Sequence, residues 1–440
     1  MFVFRLALLS VAIAASIASA AFAQSAPIEI QWWHAMTAVN GERVNKIAAD
    51  FNASQSAYKV VPVYKGSYPE TMSAGIAAFR GGNAPHIIQI FEVGTATMMA
   101  AKGAIKPVYQ LMAEANEKFD PSAYLPTVTG YYSTSDGKML SLPFNSSSAI
   151  SYYNKDAFAK AGLDPEKPPQ TWPEWFADAK KIRAAGYPCG FTAGWITWTQ
   201  IEQFNAWHNM PIGTNANGMG GVDTQFVFNT PFEVKHIAAL AEAQKDKTFD
   251  YGGRYADAEG KFLSGDCGML QSSSSFYGNV AKNAKFRFAT FALPYYPEVK
   301  GAPQNSIIGG ASLWVMSGKK PEEYKGVAKF FTFLSQTELQ VAFHKATGYL
   351  PITKAAYQAL KDEGYYQKNP DIEVTLKELT NKEPTENSRG LRFGNLVQIR
   401  DAWAEDLEAA FAGNETAQAA VDNAVKRGNA ILRQFESAAK

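Results

Sequence analysis

At 440 residues with a net charge of +1, the chain exceeds what one hydrophobic core usually organises, and it lacks the charge excess that nucleic acid or an anionic membrane would select. A composition of 46 % hydrophobic and 19 % charged residues excludes a disordered chain, and nine Trp with twenty Tyr suit either large cores or surfaces that stack on a ligand. The first residues read as an export leader: Arg5, an apolar run from Leu6 to Ala20, then Ala21-Phe22-Ala23 as a small-x-small cleavage site. This run is too short and Ala-rich to favour a membrane anchor, and no cysteine lies beside the cleavage site. The leader is therefore expected over 1–23, with a mature protein that starts near Gln24 and is soluble outside the cytoplasm.

The mature chain opens with alternating strand and helix patterns. Ile28, Ile30 and Trp32 alternate as in a strand, and Val44, Ile47 and Phe51 follow at helical spacing. A second strand is expected over 58–64. A helix carrying Met72, Ile76 and Phe79 follows and is closed by Gly81-Gly82; a third strand is expected over 86–91. This βαβαβ start predicts a mostly parallel sheet with helices on both faces. Further on, 149–153 reads as a strand, 155–161, 172–184 and 232–243 as helices, and 286–293 as a strand. The last ninety or so residues are helical: Ile399, Trp403, Leu407 and Phe411 recur every four residues, and Val421, Val425, Leu432 and Phe435 continue similarly. Two α/β lobes fit this order, with crossings expected at 141–148 and 293–304, which are rich in Ser, Asn or Pro.

Catalytic motifs are missing. There is no Gly-x-Gly-x-x-Gly after a strand, no phosphate loop ending in Gly-Lys and no Gly-x-Ser-x-Gly elbow, and the five His lack metal-ligand spacing. No metal or cofactor is expected, and His34 reads as a structural residue. Cys189 and Cys267 are the two cysteines; in an oxidising compartment they form either one disulfide or two buried thiols. Polar residues gather where open sheets bind ligands, beyond the carboxyl ends of strands. Glu92 lies there after the third strand and can accept bonds from vicinal hydroxyls; Tyr68 follows the second strand. Asn145-Ser146-Ser147-Ser148 and Ser272 to Ser275 offer hydroxyl and backbone donors suited to a phosphate, or are ordinary turns. Trp195 and Trp198, three apart, would share a helix face and form either a pocket wall or core.

Several stretches together resemble one family. They are Tyr64-Lys65-Gly66-Ser67-Tyr68, AGIAAFRGGNAP from Ala74, EVGTATMM from Glu92, PFNSS from Pro143, YYNKDA from Tyr152, IIGGASLWVM from Ile307, TGYLPITKA from Thr347 and GLRFGNLVQIR from Gly390. They are similar to the periplasmic sn-glycerol-3-phosphate-binding proteins of ABC importers, within the sugar-binding class that includes maltose-binding protein. The resemblance spans about Ile30 to Phe435. It implies a type II two-lobe binding-protein fold with ligand in the interlobe cleft. The first lobe would comprise 24–144 and 295–345, and the second 145–294 and 346–440. It also implies a pocket of Tyr68, Glu92, Ser147, Trp195, Trp198, Ser273, Gly310, Tyr349 and Arg400. Arg400 would grip phosphate as a bidentate fork, Gly310 would let backbone approach it, and Glu92 would sit at the glycerol end. Both tryptophans would favour a choline diester over the monoester. The partners implied are a small phosphorylated polyol, which could be glycerophosphocholine, and membrane permease and ATPase subunits, the receptor acting as a monomer. Leu270-Gln271 before the serines departs from the family pattern and bears on fine ligand preference. A receptor for a neutral oligosaccharide is the alternative on the same fold; a phosphodiesterase would need a metal cluster or general base that the His inventory does not offer.

Overall fold

The computed structural model describes residues 26–101 and 103–439; the expected leader and its cleavage site lie outside them. The predicted βαβαβ start forms β1 (Ile28–His34), β2 (Tyr58–Tyr64) and β3 (Ile87–Phe91), all parallel, in the order β2-β1-β3. Its two helices begin and end for local reasons. Tyr68–Arg80, for example, starts with a capping box in which Ser67 and Glu70 satisfy each other's free N–H groups, with Pro at the second helical position, and it ends at Gly81.

The sheet is mixed rather than mostly parallel. β10 (Gly309–Met316) inserts antiparallel beside β3, and its other edge pairs with β4 (Ile105–Lys106) and β5 (Leu142–Ser147). A strand returning from the second lobe pairs with β3 at once and needs no crossover helix, so antiparallel pairing is available to it. The second sheet has the order β7-β8-β6-β9, with β6 (Ala149–Asn154), β7 (Cys189–Ala193), β8 (Cys267–Ser273) and β9 (Phe288–Phe291). Only β7 and β8 run parallel.

Strand alternation distributes the cores. Ile87 and Leu313 face one cluster with Ile30 and Trp32, while Ile88, Ile90 and Trp314 point the other way. That opposite face joins Tyr153, Phe191 and Met269 of the second sheet and Trp403 and Leu407 of the helix Leu396–Phe411, so one apolar cluster runs between the lobes. Ile150, Tyr152 and Leu270 bury the remaining face of the second sheet.

The chain passes between the sheets at Ser148, between β5 and β6, and again between β9 and β10. It passes a third time after Leu379. Residues 349–379, expected with the second lobe, instead place Leu350, Ile352, Ala356, Leu360, Tyr366 and Leu376 in the core of the first sheet. The helical pattern there carries no information about which sheet it covers. The carboxylate of buried Glu378 ties the first two passages together: it accepts the Leu293 N–H at 2.6 Å and the Ser148 hydroxyl at 3.4 Å. Asn381 and Lys382 of the third passage bond to residues 303–305 of the second.

Cys189 and Cys267 are paired residues at the start of β7 and β8, fully buried and joined by a disulfide. Among the described residues no group of three His, Cys, Asp or Glu could hold a metal ion, and no helix is long and apolar enough to cross a membrane.

Candidate functional site

All nine site residues expected from the sequence line a single cavity of about 40 Å³, joined by Phe91, Ser275 and Gly309. Most arrive on a strand end or helix start. Tyr68 is the first residue of its helix, Glu92 follows β3, Ser147 and Ser273 end β5 and β8, and Gly310 lies near the start of β10. Tyr349 follows the helix Thr337–Thr347, and Arg400 projects from Leu396–Phe411.

The tryptophans depart from the expected helical pair. Trp195 precedes the helix, with φ +54 in the left-handed region, its N–H bonded to the Tyr255 carbonyl at 2.6 Å. Trp198 opens a single π-helical turn, Trp198–Glu202. A turn wound with five residues leaves Glu202 and Trp198 both directed at the site. The two rings therefore reach one cavity from different backbone conformations rather than from one helix face. Gly309 is glycine because of Trp198: a Cβ would stand 2.4 Å from its ring. Gly310 has φ +86 and a Cβ there would stand 1.9 Å from the Asn145 carbonyl oxygen, so close strand packing requires this glycine before any ligand is considered.

Arg400 is buried at 5 % exposure and already paired. Its Nε and Nη2 grip both oxygens of Glu202 at 2.6 and 2.7 Å, and Nη2 also donates to Glu92 at 2.7 Å. Arg400, expected at the phosphate, and Glu92, expected at the glycerol end, are in direct contact. Nη1 makes no hydrogen bond among the described residues and is the part of the fork left for a ligand. Burial pushes the Glu92 carboxyl above its usual range, opposed by the Arg400 charge and hydrogen bond. Glu202 was missed in the sequence; the only signal was a carboxylate four residues after Trp198.

Tyr68 is held by stacking and a relay. Its ring lies parallel to Phe91 at 5.1 Å between centroids. Its oxygen accepts from Asn145, whose amide oxygen accepts from Gln89, which in turn accepts the Ala35 N–H. With that lone pair used, the Tyr68 hydroxyl is left as a donor, and it is hydrogen-bonded to the Tyr349 hydroxyl. Burial pushes the hydroxyls of Tyr68 and Tyr349 up, so both remain protonated donors. The Ser273 and Ser275 hydroxyls share a hydrogen at 2.8 Å. The buried Trp198 indole N–H has no hydrogen bond among the described residues. The cavity is thus ringed by donors: hydroxyls, an indole and half a guanidinium. Such a lining suits an oxyanion bearing hydroxyl groups.

Comparison with known proteins agrees with this geometry. Residues 46–374 match the family described as bacterial extracellular solute-binding protein. The chain is 54 % identical over 422 residues to the sn-glycerol-3-phosphate-binding periplasmic protein UgpB of Brucella abortus, covering 96 % of each chain. It is 53 % identical over 413 residues to that of Rhizobium meliloti, covering 94 % of this chain and 95 % of the other. Among solved structures, UgpB from Mycobacterium tuberculosis in complex with glycerophosphocholine superposes with TM-score 0.76 at 20 % identity, covering 93 % of this chain and 99 % of that one. Maltose-bound MalE3 of T. maritima superposes with TM-score 0.75 at 19 % identity, covering 92 % and 100 %. A family match across most of the chain and full-length identity above one half establish that this chain belongs to the bacterial extracellular solute-binding protein family.

Proposed function

We propose that the protein is the periplasmic receptor of an ABC importer for sn-glycerol 3-phosphate and glycerophosphodiesters, and not an enzyme. The observation that carries this reading is the ring of donor groups, hydroxyls, an indole N–H and the Arg400 Nη1, around a small cavity. A phosphate has only acceptors at neutral pH, and a glycerol has hydroxyls for Glu92 and the tyrosines. Arg400 is largely neutralised by Glu92 and Glu202, so neutral dipoles of Ser147, Ser273, Tyr68, Tyr349 and Trp198, with Nη1, would supply most of the grip on phosphate. The lobes divide near Ser148 and the 291–309 segment, and in this reading they close over ligand and present a monomeric receptor to the permease. The leader over 1–23 is removed near Ala23. Calorimetric titration of the mature protein with glycerol 3-phosphate, glycerophosphocholine and maltose tests the assignment. Phosphate-ester binding with no response to maltose is expected; maltose binding alone would move the protein to the oligosaccharide receptors.

A further inference from the structure

Beside this cavity lies a larger chamber of about 380 Å³. The two share Tyr68, Trp195, Ser275 and Tyr349 as a common wall. The outer chamber has a different chemistry. Its carboxylates are Glu259, Asp257 and Glu70, and none of its lining residues is Lys, Arg or His. Glu70 is committed to capping its helix through Ser67. Glu259 is half-buried and held in place by the Ser272 hydroxyl at 2.7 Å. Aromatic rings stand around the same space: Tyr255 meets Trp195 edge-on at 5.6 Å between centroids, and Trp195 is tilted against Tyr68 at 6.3 Å.

Resting on the reading of the inner cavity as a glycerophosphate site, we propose that the outer chamber is a subsite for the cationic alcohol of a glycerophosphodiester, with Glu259 as the residue that selects a positively charged head. The cavity sizes support a bipartite ligand. An inner space of about 40 Å³ fits tightly around a small polar group, and a second substituent on the phosphorus must leave past the shared wall into the outer chamber. An ammonium there meets carboxylate charge with no competing protein cation in the lining, and ring faces that attract it further. A dianionic monoester gains nothing from this chamber and is repelled by it; a zwitterionic diester is not. Burial pushes the Glu259 carboxyl up to about 7, against the Ser272 hydrogen bond, and a cation at the subsite would favour its charged form.

The test uses four ligands on the mature full-length protein: glycerophosphocholine, glycerophosphoethanolamine, glycerophosphoglycerol and glycerol 3-phosphate. The three diesters carry the same phosphate charge and differ in the head. The wild type should bind the two ammonium diesters at least tenfold more tightly than glycerophosphoglycerol. Glu259→Gln, which keeps the shape and an acceptor for Ser272, should reduce that preference below threefold while leaving glycerol 3-phosphate affinity within twofold. Glu259→Asp should retain more of the preference than Glu259→Gln, which separates loss of charge from local damage. No preference in the wild type, or equal losses for all four ligands in Glu259→Gln, would overturn the subsite while leaving the inner site standing. Failure of the wild type to bind any of the four overturns both.

Discussion

Arg400 commits three of its five N–H groups to Glu202 and Glu92, and this changes how its mutants should be read. Arg400→Ala removes the partner of two buried carboxylates, and stranding charge in this way costs about 3–5 kcal/mol. We expect urea unfolding to show a loss of that size, so a ligand-binding defect in this variant mixes folding with recognition. Arg400→Lys keeps the charge but not the fork; it should fold and lose affinity by roughly tenfold, about 1.4 kcal/mol. An undiminished affinity in Arg400→Lys would remove Nη1 from the site. The two tryptophans divide by position: Trp195 borders both chambers and Trp198 only the inner one. Trp195→Ala should therefore weaken glycerophosphocholine more than glycerol 3-phosphate, whereas Trp198→Ala should weaken both alike. Trp198→Phe keeps the ring and deletes the unpaired N–H, at an expected cost of about 1–2 kcal/mol in binding and little in stability. Parallel titrations of both ligands check all three variants.

The strands carry two further expectations. The Cys189–Cys267 crosslink closes a loop with a sequence separation of 78 residues, which the chain-entropy model values at about 4.5 kcal/mol. Cys189→Ala with Cys267→Ala should lower the urea midpoint accordingly and leave ligand affinity nearly unchanged, because Ser273 lies at the other end of β8. Gly310→Ala meets both a left-handed φ and the Asn145 carbonyl, so loss of well over 1 kcal/mol is expected from the same measurement. At this scale the sequence was legible where its pattern was local. The alternation in β1 to β3 and the four-residue repeats in the last two helices each declare their own structure. The strand β10 was hidden, because Gly309-Gly310 interrupts its pattern and its partners lie far away in the chain. The cavity residues Gly310, Tyr349 and Arg400 became visible through family resemblance rather than spacing, since each lies on a different element. Glu202 was invisible because a π-turn, which no period predicts, is what aims it.

At the scale of the whole molecule, a cavity of about 40 Å³ compares with roughly 300–1,000 Å³ for typical small-molecule pockets. In the receptor reading, the lobes part to admit ligand to Arg400 and close over it. Solution scattering should give a smaller radius of gyration with saturating ligand than without; superimposable profiles would mean the site does not depend on lobe closure. The way the lobes are joined bears on how they part. Glu378 clasps the first two passages at once, through Ser148 and Leu293, and the third is laced to the second by Asn381 and Lys382. Three separate strands would let the lobes twist, tilt and slide independently. Bound at a common point, they act as one axle, so that the relative movement reduces to a single rotation. Distances between spin labels on the two lobes should then fall into narrow open and closed populations, and Glu378→Ala should smear them into a broad distribution by releasing the axle into a universal joint.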